Sequence, residues 1–538
     1  MLNFVVHWIS VLEMTNSLGN WPRRMRQRFQ CRAVCSVLGL LFWGGGVAEA
    51  RQSPAVAEAS ICPAQLGDAI EAIASRPEFR RARWGVAVQP LASASHEPPL
   101  YQREAERYFI PASNVKLMTT AATLGMLSPS ERIRTPVYWE NEDPAAAVVR
   151  IVGRGDPSLT REDLSDLARQ LRDRGIRQIA RLIVDDQYFG DDPVHPNWEW
   201  EDVQAGYGAP VNSLMLDLNE ILVWLYPQAV GQPLRVVWED AASAEQWQVE
   251  NQSMTVAAGR SAFVTVGRAL SRPILRVRGQ LPEGGQPDRF AIAVADPSDH
   301  FRRKFVQVLT AAAIPVRESQ LASGASTPRG EEIAAVLSPP IAELVRIVNQ
   351  DSDNLHAEAL LRQMGAIAIA TPELLPLDTL PAHASPLEAG LAAMQVSLTN
   401  IGVNADAYRL ADGSGLSRQN LVSPIALVQT LAGMAQHPQA AVYQQSLAIA
   451  GQTGTLRSRF RDTFVAGRLA GKTGGLSGVS ALSGYLDPPN YEPLVFSIIV
   501  NHAAQPGSQL RAAIDEMVLW LAQLQDGCHD YGGTATLP

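Results

Sequence analysis

Pro111-Ala112-Ser113-Asn114-Val115-Lys116 leads into Leu117–Leu124, a run without Gly or Pro, and the pattern predicts a helix. A Ser and a Lys three residues apart share one face of such a helix. The Ser lies at the positive end of the helix dipole, and a Lys one turn later can reach its hydroxyl to take a proton. That combination makes an activated serine nucleophile with no histidine.

Ser-x-x-Lys alone is common on solvated helix faces, but two later stretches change its weight. Asp351-Ser352-Asp353-Asn354 follows the helical spacing of Ile341, Leu344, Val345 and Val348, and apolar helix resumes at Leu355. Ser352 and Asn354 are therefore expected in a break between helices, where polar side chains can be presented. Gly471-Lys472-Thr473-Gly474-Gly475 ends a strand-like run from Val465. The chemistry these residue types suit is acyl transfer. Ser113 attacks a carbonyl and Lys116 is the base, its pKa lowered by burial and by a second cation, Lys472. Ser352 passes a proton to the leaving amine, and Asn354 holds a substrate amide or fixes Lys116. Lys472, Thr473, Gly474 and Gly475 are the substrate-binding candidates, Lys as point charge and Thr as donor to a carboxylate. Backbone N–H groups of Ser113 and Gly475 are the candidates for stabilising the oxyanion.

Competing chemistry has no motif behind it. There is no Gly-x-Ser-x-Gly, no His-Glu-x-x-His and no phosphate-cradling Gly loop, and the nine histidines are scattered. No metal site and no cofactor are expected. His356 is read as a helix residue. The aromatic-acidic patch Trp198-Glu199-Trp200-Glu201-Asp202 is read as a packed cluster with solvated acids.

Residues 1–50 read as an export signal. Five arginines between Arg23 and Arg32 precede the apolar segment Ala33–Val47, and Ala48-Glu49-Ala50 fits the small-x-small cleavage rule. The expected mature start is Arg51, in the periplasm or another extracytoplasmic space; uncleaved, the segment would be a membrane anchor. The signal carries five Arg and two Glu, so the remainder has a net charge of about −12 against −9 for the whole chain, which excludes nucleic acid as a natural partner. Cys31 and Cys35 leave with the signal. Cys62 and Cys528 remain, and in an exported protein they suggest a disulfide joining the two ends.

Residues 61–130 and 331–528 read as one α/β catalytic domain, closed by an amphipathic helix carrying Leu510, Ile514, Met517, Val518 and Leu521. Residues 131–330 have a different texture of short β-like runs between turns, expected as a β-rich insertion with a second one nested at about 162–235.

Ser113-x-x-Lys116, Ser352-Asp353-Asn354 and Lys472-Thr473-Gly474 together are the signature of penicillin-binding proteins and β-lactamases. With 239 residues from Ser113 to Ser352 and 120 from Ser352 to Lys472, the chain resembles the low-molecular-mass class C penicillin-binding proteins, the D-alanyl-D-alanine carboxypeptidase/endopeptidase family of the S13 type. Gly155-Asp156-Pro157, Tyr207-Gly208-Ala209-Pro210 and Asp412-Gly413-Ser414-Gly415-Leu416 add to the likeness, which covers roughly 61–525. The resemblance implies a transpeptidase-like domain, with a five-stranded antiparallel sheet between helices, split by the insertion. It implies peptidoglycan peptides ending in, or cross-linked through, D-Ala as substrates, and covalent capture of β-lactams on Ser113. Many relatives carry Thr or Ser where this chain has Gly475, which removes one hydroxyl from the carboxylate side of the site. The alternatives are a β-lactamase, against which the lack of a Glu-x-x-Leu-Asn motif counts, and a catalytically silent cell-wall scaffold, against which the intact Ser113, Lys116 and Lys472 count.

Overall fold

The computed structural model describes residues 60–526, apart from 93–98, 142, 144–145, 245–246, 270–271, 325–326, 375–379 and 381–382. The expected signal and Cys528 lie outside the described residues.

Strand Leu494–Asn501 shows why the catalytic sheet sits where it does. All eight residues are buried, so it reads as a continuous apolar run instead of an alternating one, as expected of a strand covered on both faces. Side chains still alternate between two cores. Phe496, Ile498 and Val500 join Val86 and Val88 under helices Leu66–Ala74 and Gly507–Ala522. Val495 and Ile499 join Ala87 and Ala481 under helices Val115–Met126, Asn354–Ala370, Pro386–Asn400 and Pro424–Gln436. The sheet order is Ala448–Ile449, Leu469–Leu476, Val479–Leu486, Leu494–Asn501, Arg83–Pro90, Tyr101–Arg103, antiparallel throughout. A two-residue strand thus adds a sixth member to the expected five. It pairs only with Ala470 and Gly471, so among the described residues the outer edge of Lys472–Leu476 has no neighbouring strand. Residues 104–108 form a turn after Arg103.

The first and last described segments both belong to this half. Ile61 N–H donates to the Gln523 carbonyl at 3.0 Å and Gln525 N–H to the Ile61 carbonyl at 3.1 Å. Cys62 is disulfide-bonded.

The inserted region differs from expectation in composition and in bounds. Its first part is a five-stranded mixed sheet in the order Val316–Leu321, Ile179–Asp185, Ala147–Val152, Arg132–Trp139, Glu331–Pro340, the first three parallel. Parallel neighbours need long crossovers, and helices Arg161–Asp173 and Pro297–Ala311 supply them, packing Leu164, Leu167, Phe301 and Phe305 on the sheet. This part is therefore α/β and not simply β-rich. Glu331–Pro340 pairs with Arg132–Trp139, so the inserted sheet ends ten residues beyond the expected 330. The nested segment runs between Asp185 and Pro297, not over 162–235, because helix Arg161–Asp173 and strand Ile179–Asp185 are part of the five-stranded sheet. It carries two three-stranded sheets, one on Glu220–Tyr226 and one on Ile274–Pro282. Among the described residues no helix is long and apolar enough to cross a membrane.

Candidate active site

Ser113 stands in a 3-10 turn, Ala112–Asn114, that runs directly into helix Val115–Met126. The turn is pinned to the sheet. Asn501 accepts from Ile110 N–H at 2.7 Å and returns a bond to the Ile110 carbonyl at 3.0 Å, and Asn114 Nδ2 donates to Ser483 Oγ at 2.7 Å. Ala112 has φ 49°, a left-handed value rare for a side-chain-bearing residue. The turn is held in place by its neighbours. A Cβ at Gly415 would fall on the Ala112 carbonyl oxygen, and one at Gly474 would lie 2.7 Å from the Pro111 carbonyl oxygen.

Lys116 is fully buried, and its amine meets three oxygens: Ser113 Oγ at 3.0 Å, Asn354 Oδ1 at 2.6 Å and the Ser414 carbonyl at 2.6 Å. Three acceptors match the three hydrogens of an ammonium. Two of these oxygens can only accept, whereas the Ser113 hydroxyl can also donate. When the amine loses a proton, its lone pair therefore faces Ser113. Asn354 Nδ2 donates to the Tyr207 carbonyl at 2.8 Å, which fixes the side-chain amide with its oxygen toward Lys116. Of the two roles open to Asn354, the geometry gives contact with Lys116. Burial lowers the Lys116 pKa to about 8, against the opposing pull of Asp412, Asp353 and Glu358.

A second pair sits beside the first. Helix 341–351 ends in a wide π turn, and Ser352 follows in a left-handed conformation, φ 61°. Asp353 then caps the next helix by accepting from His356 N–H at 2.9 Å. His356 is buried and its Nδ1 lies 2.9 Å from Asp353, so it braces the cap, in keeping with its reading as a helix residue. The reversal turns Ser352 toward the sheet, where Lys472 Nζ donates to its Oγ at 2.8 Å and to the Thr473 carbonyl at 2.8 Å. Lys472 is fully buried, and burial together with Lys116 holds its amine well below the usual lysine range. The cation-on-cation effect expected on Lys116 is thus resolved on Lys472. Thr473 Oγ1 is bonded to Thr455 Oγ1 at 2.8 Å, while nothing lies within 4 Å of a Cβ added at Gly475.

Sequence reasoning missed Thr455, Ser414 and the carboxylates behind Lys116. Glu358 accepts from Gly413 and Ser414 N–H at 2.9 and 2.8 Å, and Asp412 accepts from Gly415 and Ser417 N–H at 2.7 and 2.6 Å. Asp412 and Ser414 lie in the Asp412–Leu416 stretch, which added to the family likeness without an assigned role, and Glu358 and Thr455 carry no sequence signal of their own. The aromatic-acidic patch enters here too. Trp198 is buried, stacks on His195 at 5.5 Å, and donates from Nε1 to Asp412 at 3.0 Å; Tyr207 donates from its hydroxyl to Asp202 at 3.0 Å. The structure thus brings Ser113, Lys116, Asn354, Ser352, Lys472 and Thr473 to one place. Gly474 packs against the serine turn and Gly475 faces open space at the exposed edge.

The chain is similar over most of its length to known proteins. The D-Ala-D-Ala carboxypeptidase 3 (S13) family matches residues 66–524. A D-alanyl-D-alanine carboxypeptidase of Actinomadura sp. (strain R39) is 32% identical over 473 residues, 84% of each chain. Carboxypeptidase DacB of Mycolicibacterium smegmatis is 27% identical over 492 residues, 86% of this chain and 87% of its own. Among solved structures, penicillin binding protein 4 (dacB) from Haemophilus influenzae superposes with a TM-score of 0.72 at 21% identity, covering 84% of this chain and 98% of that one. With the family matched from the first helix of the catalytic half to its last, the chain belongs to the D-Ala-D-Ala carboxypeptidase 3 (S13) family.

Proposed function

We propose that this protein is an exported serine D-Ala-D-Ala carboxypeptidase and endopeptidase that works through an acyl-enzyme on Ser113. The observation that carries the reading is the buried Lys116 amine 3.0 Å from Ser113 Oγ, with its other two contacts to acceptors alone. Neutral Lys116 takes the Ser113 proton as Oγ bonds to the carbonyl carbon of the penultimate D-Ala. The oxyanion rests on the N–H groups of Ser113 and Gly475, each such donor being worth on the order of 100–1,000-fold in rate. As the C–N bond breaks, the leaving amine receives a proton through Ser352, whose hydroxyl Lys472 holds at 2.8 Å. Water then cleaves the Ser113 ester by the reverse proton path.

The peptide lies along the open outer edge of Lys472–Leu476, as an added strand would. Its terminal carboxylate meets Lys472 and Thr473, and that anion favours the protonated form of the buried Lys472 amine. Thr455 stands where it can lend a second hydroxyl on the side where Gly475 offers none. In a cross-link the same acyl bond is cut but the leaving amine belongs to a longer chain, which the open edge at Gly475 admits. A β-lactam places its ring carbonyl where the peptide carbonyl goes and acylates the same oxygen. A relative's structure, that of the Haemophilus influenzae protein, has been described complexed with a novel beta-lactam.

The test is D-Ala release from an N-acylated peptide ending in D-Ala-D-Ala. Release by the parent and none by Ser113→Ala supports the reading. No release, together with rapid turnover of benzylpenicillin, would make the protein a β-lactamase instead. Export is tested separately, by amino-terminal sequencing of the secreted protein, which should begin at Arg51.

A further inference from the structure

Behind Lys116, on the side away from substrate, three carboxylates face the amine from two elements. Asp353 and Glu358 come from the start of helix Asn354–Ala370, and Asp412 from the turn that follows strand Tyr408–Arg409. Glu358 and Asp412 are fully buried. The turn carrying Ser414 is built on them. Glu358 Oε1 takes the N–H groups of Gly413 and Ser414, and Asp412 takes those of Gly415 and Ser417 together with Asn420 Nδ2 at 2.8 Å. The Ser414 carbonyl, aimed by those bonds, holds Lys116 at 2.6 Å. The same turn presses on Ala112 beside the nucleophile.

We propose that Glu358 and Asp412 are positioning residues for Lys116, two buried anions that aim its amine through the Ser414 turn and set its basicity. The inference rests on reading Lys116 as the base of the reaction above. Burial alone would leave Lys116 a neutral and weak base. Two anions behind it restore proton affinity and stabilise the ammonium that forms as Ser113 gives up its proton, and a base works best when its pKa lies near the working pH.

The remaining charges around the amine are accounted for. Helix Val115–Met126 contributes no other charged group. Lys472 faces from the edge strand. His356 is bonded to Asp353. Arg362 pairs with Glu358 at 3.2 Å and with Asp191 of the insertion at 3.3 Å. His195, also of the insertion, bonds to the Ala411 carbonyl at 2.8 Å and acts on Glu358. Burial and Asp412 raise the pKa of Glu358, Arg362 opposes them, and among the described residues Glu358 accepts from Gly413, Ser414 and Arg362, all N–H donors, the bonding of an ionised carboxylate.

The experiment is the rate of benzylpenicillin adduct formation, by intact mass, from pH 5.5 to 9.5 for the full exported chain, for Glu358→Gln and for Asp412→Asn. Thermal unfolding checks that each variant is folded. Each substitution keeps shape and removes one negative charge. The rising limb of the rate against pH should therefore move to lower pH by about one unit, with a lower plateau at high pH. A slower variant whose limb stays at the parent's midpoint overturns the assignment, because the residue would then support the turn without acting on the amine. The assignment also falls if neither variant folds, since the fold alone would then need the pair. A parent that gives no adduct at any pH overturns the reading of the site itself, a result distinct from an adduct-forming parent with unmoved variants.

Discussion

Lys116 is the residue on which the chemistry turns, and its environment fixes the sign of its pH dependence. Burial brings its pKa down to about 8, so at pH 7 roughly a tenth of the amines are neutral, and the active fraction grows as pH rises through that value. Acylation by benzylpenicillin should accordingly rise with pH and level off above about 8; a rate falling over the same range would rule out a lysine base. Lys116→Met should lower the acylation rate by roughly 100–10,000-fold, the usual contribution of a positioned general base, with thermal unfolding confirming that the variant remains folded. Thr455→Val tests the hydroxyl beside Thr473. It should raise KM for a peptide with a free carboxylate more than it lowers kcat, as measured by D-Ala release. Ser113, Lys116, Ser352, Asn354, Lys472 and Thr473 were legible because each motif is short and its chemistry is local to its residue types. Glu358, Asp412 and Thr455 were not. Each acquires a role only when other chain segments close around it: Thr455 meets Thr473, Glu358 meets the Ser414 turn and Asp412 meets Trp198 of the insertion.

At the scale of elements, the site depends on close approach. Gly415 sits at φ 81° with the Ala112 carbonyl against its Cα, so it must be glycine for space and for backbone conformation together. Gly415→Ala should cost about 2–4 kcal/mol in denaturant unfolding, from overpacking and a disfavoured φ combined. It should also slow acylation by displacing the serine turn. A variant as stable as the parent would mean that the turn is not held as described. Helix Val115–Met126 was legible from Leu117–Leu124, a run without Gly or Pro. The inserted sheet was not. The region showed only as short β-like runs between turns, and which neighbours run parallel depends on where the helices Arg161–Asp173 and Pro297–Ala311 pack, information that strand periodicity does not carry. The same reason moved the nested boundary: helix Arg161–Asp173 serves the first sheet although turns flank it on both sides.

At the scale of the whole molecule, the first and last described segments meet: Ile61 N–H donates to the Gln523 carbonyl and Gln525 N–H to the Ile61 carbonyl. We propose that the partner of the disulfide-bonded Cys62 is Cys528, the remaining cysteine once the signal is removed. Non-reducing peptide mapping should recover the two in one fragment, and Cys62→Ser should cost about 2–5 kcal/mol of stability. The insertion touches the catalytic half where it matters for chemistry, through Trp198 to Asp412, Asp191 to Arg362 and Tyr207 to Asn354. It therefore supports the base as well as bordering the cleft.

The central claim is that Ser113 is an acylated nucleophile activated by Lys116. Its most direct test is the intact mass of the protein from Arg51 onward, followed over time after mixing with benzylpenicillin, beside Ser113→Ala. The account predicts one lasting penicilloyl adduct on the parent and none on the variant. No adduct on the parent, or an equal adduct on Ser113→Ala, would contradict it.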